Sequence, residues 1–158
     1  MTTADIRQAA FPRDTRDVRA LFKEYADGLG VDLGFQGFDD EVAQLPGKYA
    51  VPTGRLLLAW RGDEAVGCIA MRRIDNLVCE MKRLYVRPQA RGEALGRRLV
   101  ERLCDEARRA GYARICLDTL VSMASAQKLY ESMGFKPIDP YVYNPLPGTQ
   151  FLSLDLAK

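Results

Sequence analysis

The segment Arg91-Gly92-Glu93-Ala94-Leu95-Gly96-Arg97 has the most chemically suggestive spacing in this sequence. It lies between an apolar stretch that ends at Pro88 and a strongly periodic stretch that begins at Leu95, so it reads as a short loop feeding a helix. The first turn of a helix leaves its backbone N–H groups without partners and carries about half a positive charge. A loop that aims such groups at one point is a cradle for an anion. Gly92 and Gly96 remove side chains where a phosphate must approach closely, and Arg91 and Arg97 add charge suited to a pyrophosphate. The same residues also describe a plain strand-to-helix turn that binds nothing, and alone they do not separate the two readings. Neither G-x-x-x-x-G-K-[ST] nor G-x-G-x-x-G occurs anywhere in the chain.

The sequence has no histidine. Ser-His-Asp and Cys-His nucleophilic machinery is therefore excluded, as are histidine-ligated metal sites. Acid–base chemistry falls to carboxylates, Tyr, Lys, Cys or a terminal amine. The four cysteines, Cys68, Cys79, Cys104 and Cys116, are widely spaced inside apolar segments and form no C-x-x-C pair. They read as reduced, buried small hydrophobes, which fits a cytosolic location and no metal. With 23 basic against 21 acidic residues the net charge is +2, which is no electrostatic footprint for nucleic acid. No secretory signal and no apolar run of the ~18 residues needed to cross a membrane is seen. The length of 158 residues suggests one domain over residues 1–158 that folds without staples.

These residues need a scaffold, and periodicity supplies one. A strand is expected over residues 5–11 and an amphipathic helix over 14–28, with Val18, Leu21, Phe22 and Tyr25 on one face. Residues 31–38 read as a loop, and Asp39 as the cap of a short helix reaching about Leu45. Strands follow at 55–61, 65–73 and 77–86, the first two joined by a tight turn at Arg61-Gly62-Asp63-Glu64. A well-marked helix begins at Leu95 and stops at Gly111. A strand at 113–118, a helix capped by Ser122 and ended by Gly134, and strands at 135–138 and 150–156 complete the chain. The β-α-β unit at the centre demands a parallel pair, so the sheet is mixed and the fold class is α/β.

The loop and its surroundings resemble the GCN5-related N-acetyltransferase (GNAT) family. That family has an R/Q-x-x-G-x-G/A loop between its fourth strand and third helix, and Arg91 to Gly96 follows it with Ala94 where glycine is usual. Residues 81–88 are similar to the family's fourth strand. Ala126-Gln127-Lys128-Leu129-Tyr130-Glu131-Ser132-Met133-Gly134-Phe135 resembles its A-x-x-LYE-x-x-GF block. The likeness is good over about residues 56–135 and is one of layout before them. It implies a mostly antiparallel sheet of six to seven strands flanked by about four helices, with the fourth and fifth strands splayed.

The resemblance also implies roles. Acetyl-CoA is the cosubstrate, with its pantetheine arm along Leu84, Tyr85 and Val86. Arg91, Gly92, Glu93, Ala94, Leu95, Gly96 and Arg97 hold its pyrophosphate, with Gln127 nearby. Tyr130 is implied as the general acid for the thiolate, against a plain core tyrosine. Glu80 is implied as the base, against an ion pair with Lys82 on the same side of the strand as Leu84. Tyr25, Leu29, Phe35 and Phe38 on one side, and Tyr141, Tyr143 and Asn144 on the other, are candidates to line a small, partly apolar acceptor site.

The expected activity is acetyl transfer to the primary amine of a small molecule by direct attack in a ternary complex. A peptide or protein amine as acceptor, and a non-catalytic acyl-CoA sensor, are the alternatives. The expected partners are acetyl-CoA and the amine, without nucleic acid or membrane, and family habit allows a homodimer.

Overall fold

The chain runs through β1 (Asp5–Gln8), α1 (Thr15–Leu29), α2 (Phe38–Ala43), β2 (Arg55–Arg61), β3 (Glu64–Arg73), β4 (Val78–Val86), α3 (Leu95–Arg109), β5 (Arg114–Thr119), α4 (Ala124–Ser132), β6 (Lys136–Pro137) and β7 (Gln150–Asp155). This computed structural model describes residues 3–30, 32–34, 37–120 and 122–156. The seven strands form one sheet in the order β1-β2-β3-β4-β5-β7-β6. Every pairing is antiparallel except β4 with β5, the parallel pair that α3 connects.

The run Leu56-Leu57-Leu58-Ala59 shows why the sheet is covered on both faces. Side chains alternate across a strand, and a strand that is apolar at every position must be buried on both sides. Leu57 and Ala59 belong to the core on the face covered by Leu95, Leu99 and Leu103 of α3, which also includes Tyr130 of α4. Leu56 and Leu58 belong to the core on the opposite face, together with Val18, Leu21 and Phe22 of α1 and Phe38 of α2. Among the described residues no helix is long and apolar enough to cross a membrane.

Three local expectations are corrected. The strand expected over 5–11 ends at Gln8, because the Asp14 carboxylate accepts the Ala10 amide at 2.8 Å and Pro12 has no amide to give. Asp39 does not cap α2. Gly37, in the left-handed region at φ 69°, precedes the helix, and Asp39 sits inside its first turn beside Asp40 and Glu41. Ser122 does not cap α4 either, since the helix starts at Ala124 after Met123 and, among the described residues, no side-chain hydrogen bond caps it.

Candidate active site

The site is organised by an irregularity in β4. Cys68 pairs with Tyr85 but Ala70 with Lys82, so β4 carries one extra residue there. Arg83 absorbs it at φ 64°. Such a bulge shifts the alternation of side chains by one. Glu80, Lys82 and Arg83 therefore face α1 and α2, while Leu84 and Val86 pack on the α3 side. This corrects the expectation that Glu80, Lys82 and Leu84 share a side. Arg83 is locked in place: its Nε and Nη2 donate to the Glu41 carboxylate at 2.8 and 2.9 Å, and its guanidinium lies over the rings of Tyr25 and Phe38.

β4 and β5 pair only from Val78 to Glu80 and from Arg114 to Cys116. Beyond that point the strands part, and Leu84, Tyr85 and Val86 lie on a β4 edge that is paired only with β3. Arg87 ends the strand. Its Nε and Nη2 donate to both Glu24 oxygens at 3.0 and 2.7 Å, and the Tyr85 hydroxyl donates to the same carboxylate at 3.2 Å. The Arg87 guanidinium holds the Glu24 carboxyl below its ordinary pKa, more than offsetting burial.

The edge leads to the start of α3. The first bond of that helix runs from the Arg98 amide to the Ala94 carbonyl at 3.0 Å, and no side chain caps it. Among the described residues nothing supplies an acceptor to the amides of residues 92–97. Gly92 stands at φ 104°, a conformation that favours glycine, with open space where a Cβ would be. Ala94 is left-handed at φ 53°, which is the physical reason a glycine would be at home there. The flanking side chains are partly committed: Arg91 Nε donates to the Val86 carbonyl at 3.1 Å, Arg97 Nη2 to Ser132 Oγ at 2.6 Å, and Glu93 pairs with Arg61. A bare helix start of this kind fits a diphosphate.

On the other face lies a cavity of about 610 Å³ between α2, the segment after it, β3, β4, β5 and the loop before β7. Glu80 is on its wall although the residue is only 1% exposed. Arg72 Nε donates to Glu80 Oε1 at 2.7 Å, Lys82 Nζ stands 4.0 Å from the same oxygen, and the Tyr141 hydroxyl donates to Oε2 at 2.7 Å. Burial, followed by the facing Glu80 charge, pushes the Tyr141 phenol far above its ordinary pKa. Burial also pulls Lys82 below its ordinary value, and Glu80 opposes that shift.

A second cavity, of about 30 Å³, lies where β4 and β5 part. Leu84, Met123, Tyr25, Lys82, Asp118 and Tyr130 are among its walls. The Tyr130 ring packs 5.5 Å from that of Phe135, and burial raises its phenol well above the ordinary value, so it stays protonated.

The sequence-derived candidates thus separate into groups. The α3 loop and the β4 edge are contiguous, and Tyr130 and Glu80 lie on the two cavities beyond them. Gln127 turns inward, its Nε2 donating to the Leu120 carbonyl at 2.7 Å. Phe38 is buried beneath α1 and α2 and Leu29 packs against that core, neither on the larger cavity's wall, whereas Tyr25 packs against the same core and lines the second cavity. Phe35 lies outside the described residues. Tyr143 lines the larger cavity, and Tyr141 and Asn144 stand behind it, bonded to Glu80 and Asp118. The wall is partly apolar, with Pro46, Tyr49, Val142 and Tyr143 on it, but it also carries Asp40, Glu41, Lys48, Arg72 and Asp118, which were missed. They come from four separate segments, so no local spacing joins them. Among the described residues there is no group of three side chains able to hold a metal.

Comparison with known proteins agrees with this architecture. The profile described as "Acetyltransferase (GNAT) family" matches residues 17–135. An uncharacterized N-acetyltransferase of Schizosaccharomyces pombe is 41% identical over 157 residues, covering 97% of this chain and 95% of its own. The aminoalkylphosphonate N-acetyltransferase of Salmonella typhimurium is 30% identical over 141 residues, covering 86% and 87%. The structure of yncA from Salmonella typhimurium, with its cofactor acetyl-CoA, has the same fold at a TM-score of 0.70 and 22% identity, covering 99% of this chain and 96% of that one. This chain belongs to the acetyltransferase (GNAT) family and is an N-acetyltransferase of that type.

Proposed function

We propose that the protein moves the acetyl group of acetyl-CoA to the primary amine of a small molecule by direct attack, with both substrates bound. One observation carries the reading: the unpaired edge of β4 runs from the bare amides at the start of α3 toward a charged cavity of about 610 Å³. The amides of residues 92–97, with Arg91 and Arg97, hold the pyrophosphate, and the main chain of Leu84, Tyr85 and Val86 holds the pantetheine arm. Gln127 fixes the approach to α4 through Leu120. Bound there, acetyl-CoA supplies an activated thioester.

The chain's own residues handle protons. An alkylammonium has a pKa near 10 and is mostly protonated at pH 7, so the amine must lose a proton to react. Glu80 is the base of this reading. Its two oxygens offer about four lone-pair sites, and Arg72 and Tyr141 each fill one, so the carboxylate keeps lone pairs with which to take a proton. Tyr130 keeps its proton because it is buried, and it donates that proton to the departing sulfur. The relative named for aminoalkylphosphonates supports a small acceptor.

The test is a thiol-release assay with acetyl-CoA against a panel of small amines and of peptides bearing free amines. Acceleration by small amines is expected. Acceleration by peptides alone would move the acceptor to the peptide class, and release that no amine accelerates would remove the transferase reading.

A further inference from the structure

The two cavities share two wall residues, Lys82 on β4 and Asp118 on β5. This follows from the seam between the strands. Glu80 is opposite Cys116 in the last parallel pair, so two residues further on, on the same face, Lys82 and Asp118 flank the gap. A thioester reaching along the β4 edge and an amine entering from the larger cavity come together here. This inference rests on the transferase reading above.

Of the two groups the carboxylate is the one suited to a cationic amine. A lysine ammonium has three donors and no acceptor, whereas a carboxylate accepts at both oxygens. The Asp118 carboxylate is also held in place. Asn144 Nδ2 donates to its Oδ2 at 3.1 Å, and Asn144 Oδ1 in turn accepts the Leu146 amide at 3.0 Å and the Thr149 hydroxyl at 3.3 Å. One oxygen is thereby tied to the loop before β7. A carboxylate fixed on one side at the junction of two cavities is a docking point for a cation.

We infer that Asp118 binds the nitrogen of the acceptor and sets it at the junction, as a substrate-contacting residue distinct from Glu80. Asn144 acts as its positioning residue. The acceptor of this enzyme is accordingly a cationic primary amine that is small enough to reach the junction through the larger cavity.

The experiment uses the full chain, acetyl-CoA, and the amine that the wild type turns over fastest. Asp118→Asn keeps an oxygen for Asn144 and removes the charge. The expected result is a rise of about tenfold or more in the amine KM, the size of a lost charge-assisted hydrogen bond. The acetyl-CoA KM should stay within about twofold and the melting temperature should hold. Asp118→Glu restores part of the loss. An unchanged amine KM in Asp118→Asn overturns the inference, as does an equal rise in both KM values with a lower melting temperature. A wild type that binds acetyl-CoA in calorimetry but acetylates no amine removes the transferase reading, and this inference with it.

Discussion

The Tyr141 hydroxyl donates to Glu80 Oε2 at 2.7 Å across the loop before β7. Residues 61 positions apart thus form one hydrogen-bonded unit at the cavity, with Arg72 on the other carboxylate oxygen. Substituting the carboxylate should cost more than substituting its partner. Glu80→Gln is expected to lower kcat on the order of a hundredfold, the usual contribution of a general base. Tyr141→Phe leaves the carboxylate in place and should cost less than about tenfold. Steady-state kinetics on both variants checks this, and equal losses would mean that the pair only shapes the wall.

Tyr130→Phe should bind acetyl-CoA as the wild type does and turn over more slowly, on the order of a hundredfold. The ring contact with Phe135 is kept, so the melting temperature should hold. Burial raises the Tyr130 phenol above its ordinary value of 10, so the wild-type rate should show no basic limb from this group below about pH 10. A pH–rate profile with calorimetric binding measures both. Full turnover in the variant would take Tyr130 out of the mechanism.

At the α3 loop two small residues are predicted to respond in opposite ways. Gly92 stands at φ 104°, so Gly92→Ala should strain the loop and weaken acetyl-CoA binding by about tenfold or more. Ala94 already occupies the left-handed region, which costs a non-glycine residue about 1–2 kcal/mol. Ala94→Gly recovers that but loses about 0.5–1 kcal/mol through added freedom of the unfolded chain. The net change in stability should be between about 0 and 1.5 kcal/mol in favour of the variant, with acetyl-CoA affinity equal or higher. Denaturant unfolding and calorimetry read the two effects separately.

The Glu24 bond to Arg87 fixes α1 against the end of β4. Because its folded pKa lies below the ordinary 4.5, its contribution is complete above about pH 4.5 and is lost as pH falls through the folded value. Glu24→Gln should therefore melt lower than the wild type at pH 7, and the gap should narrow below about pH 4.5, where the wild-type carboxylate becomes protonated. Melting curves from pH 7 to pH 3 test this, and a gap that does not change with pH would exclude the ion pair as its cause.

The sequence carried the elements well and the cavity poorly, for one physical reason. Leu56 to Ala59, and Leu95, Leu99 and Leu103, advertise their strand and helix through the local period of burial, which a single chain displays. The α3 loop was legible because its amides and glycines are contiguous. Arg83 was not, since a bulge moves a side chain to the other face without leaving a residue type that announces it. Ser122 and Asp39 are good capping residues that the chain does not use, because the observed helices begin one residue before Asp39 and two after Ser122. Asp118, Arg72 and Lys48 meet only through tertiary folding, and nothing about their neighbours in sequence predicts it.

The parallel seam of β4 and β5 spans only three residues on each strand. A sheet joined so briefly at its middle has an interior border where outer β4 has no strand beside it on the β5 side. A guest with amide groups of its own, laid along that border, would act as a missing rung and brace the two halves. Amide hydrogen exchange in the outer half of β4 should then slow sharply once the enzyme is charged, making the cosubstrate a splint for the scaffold as well as a reagent.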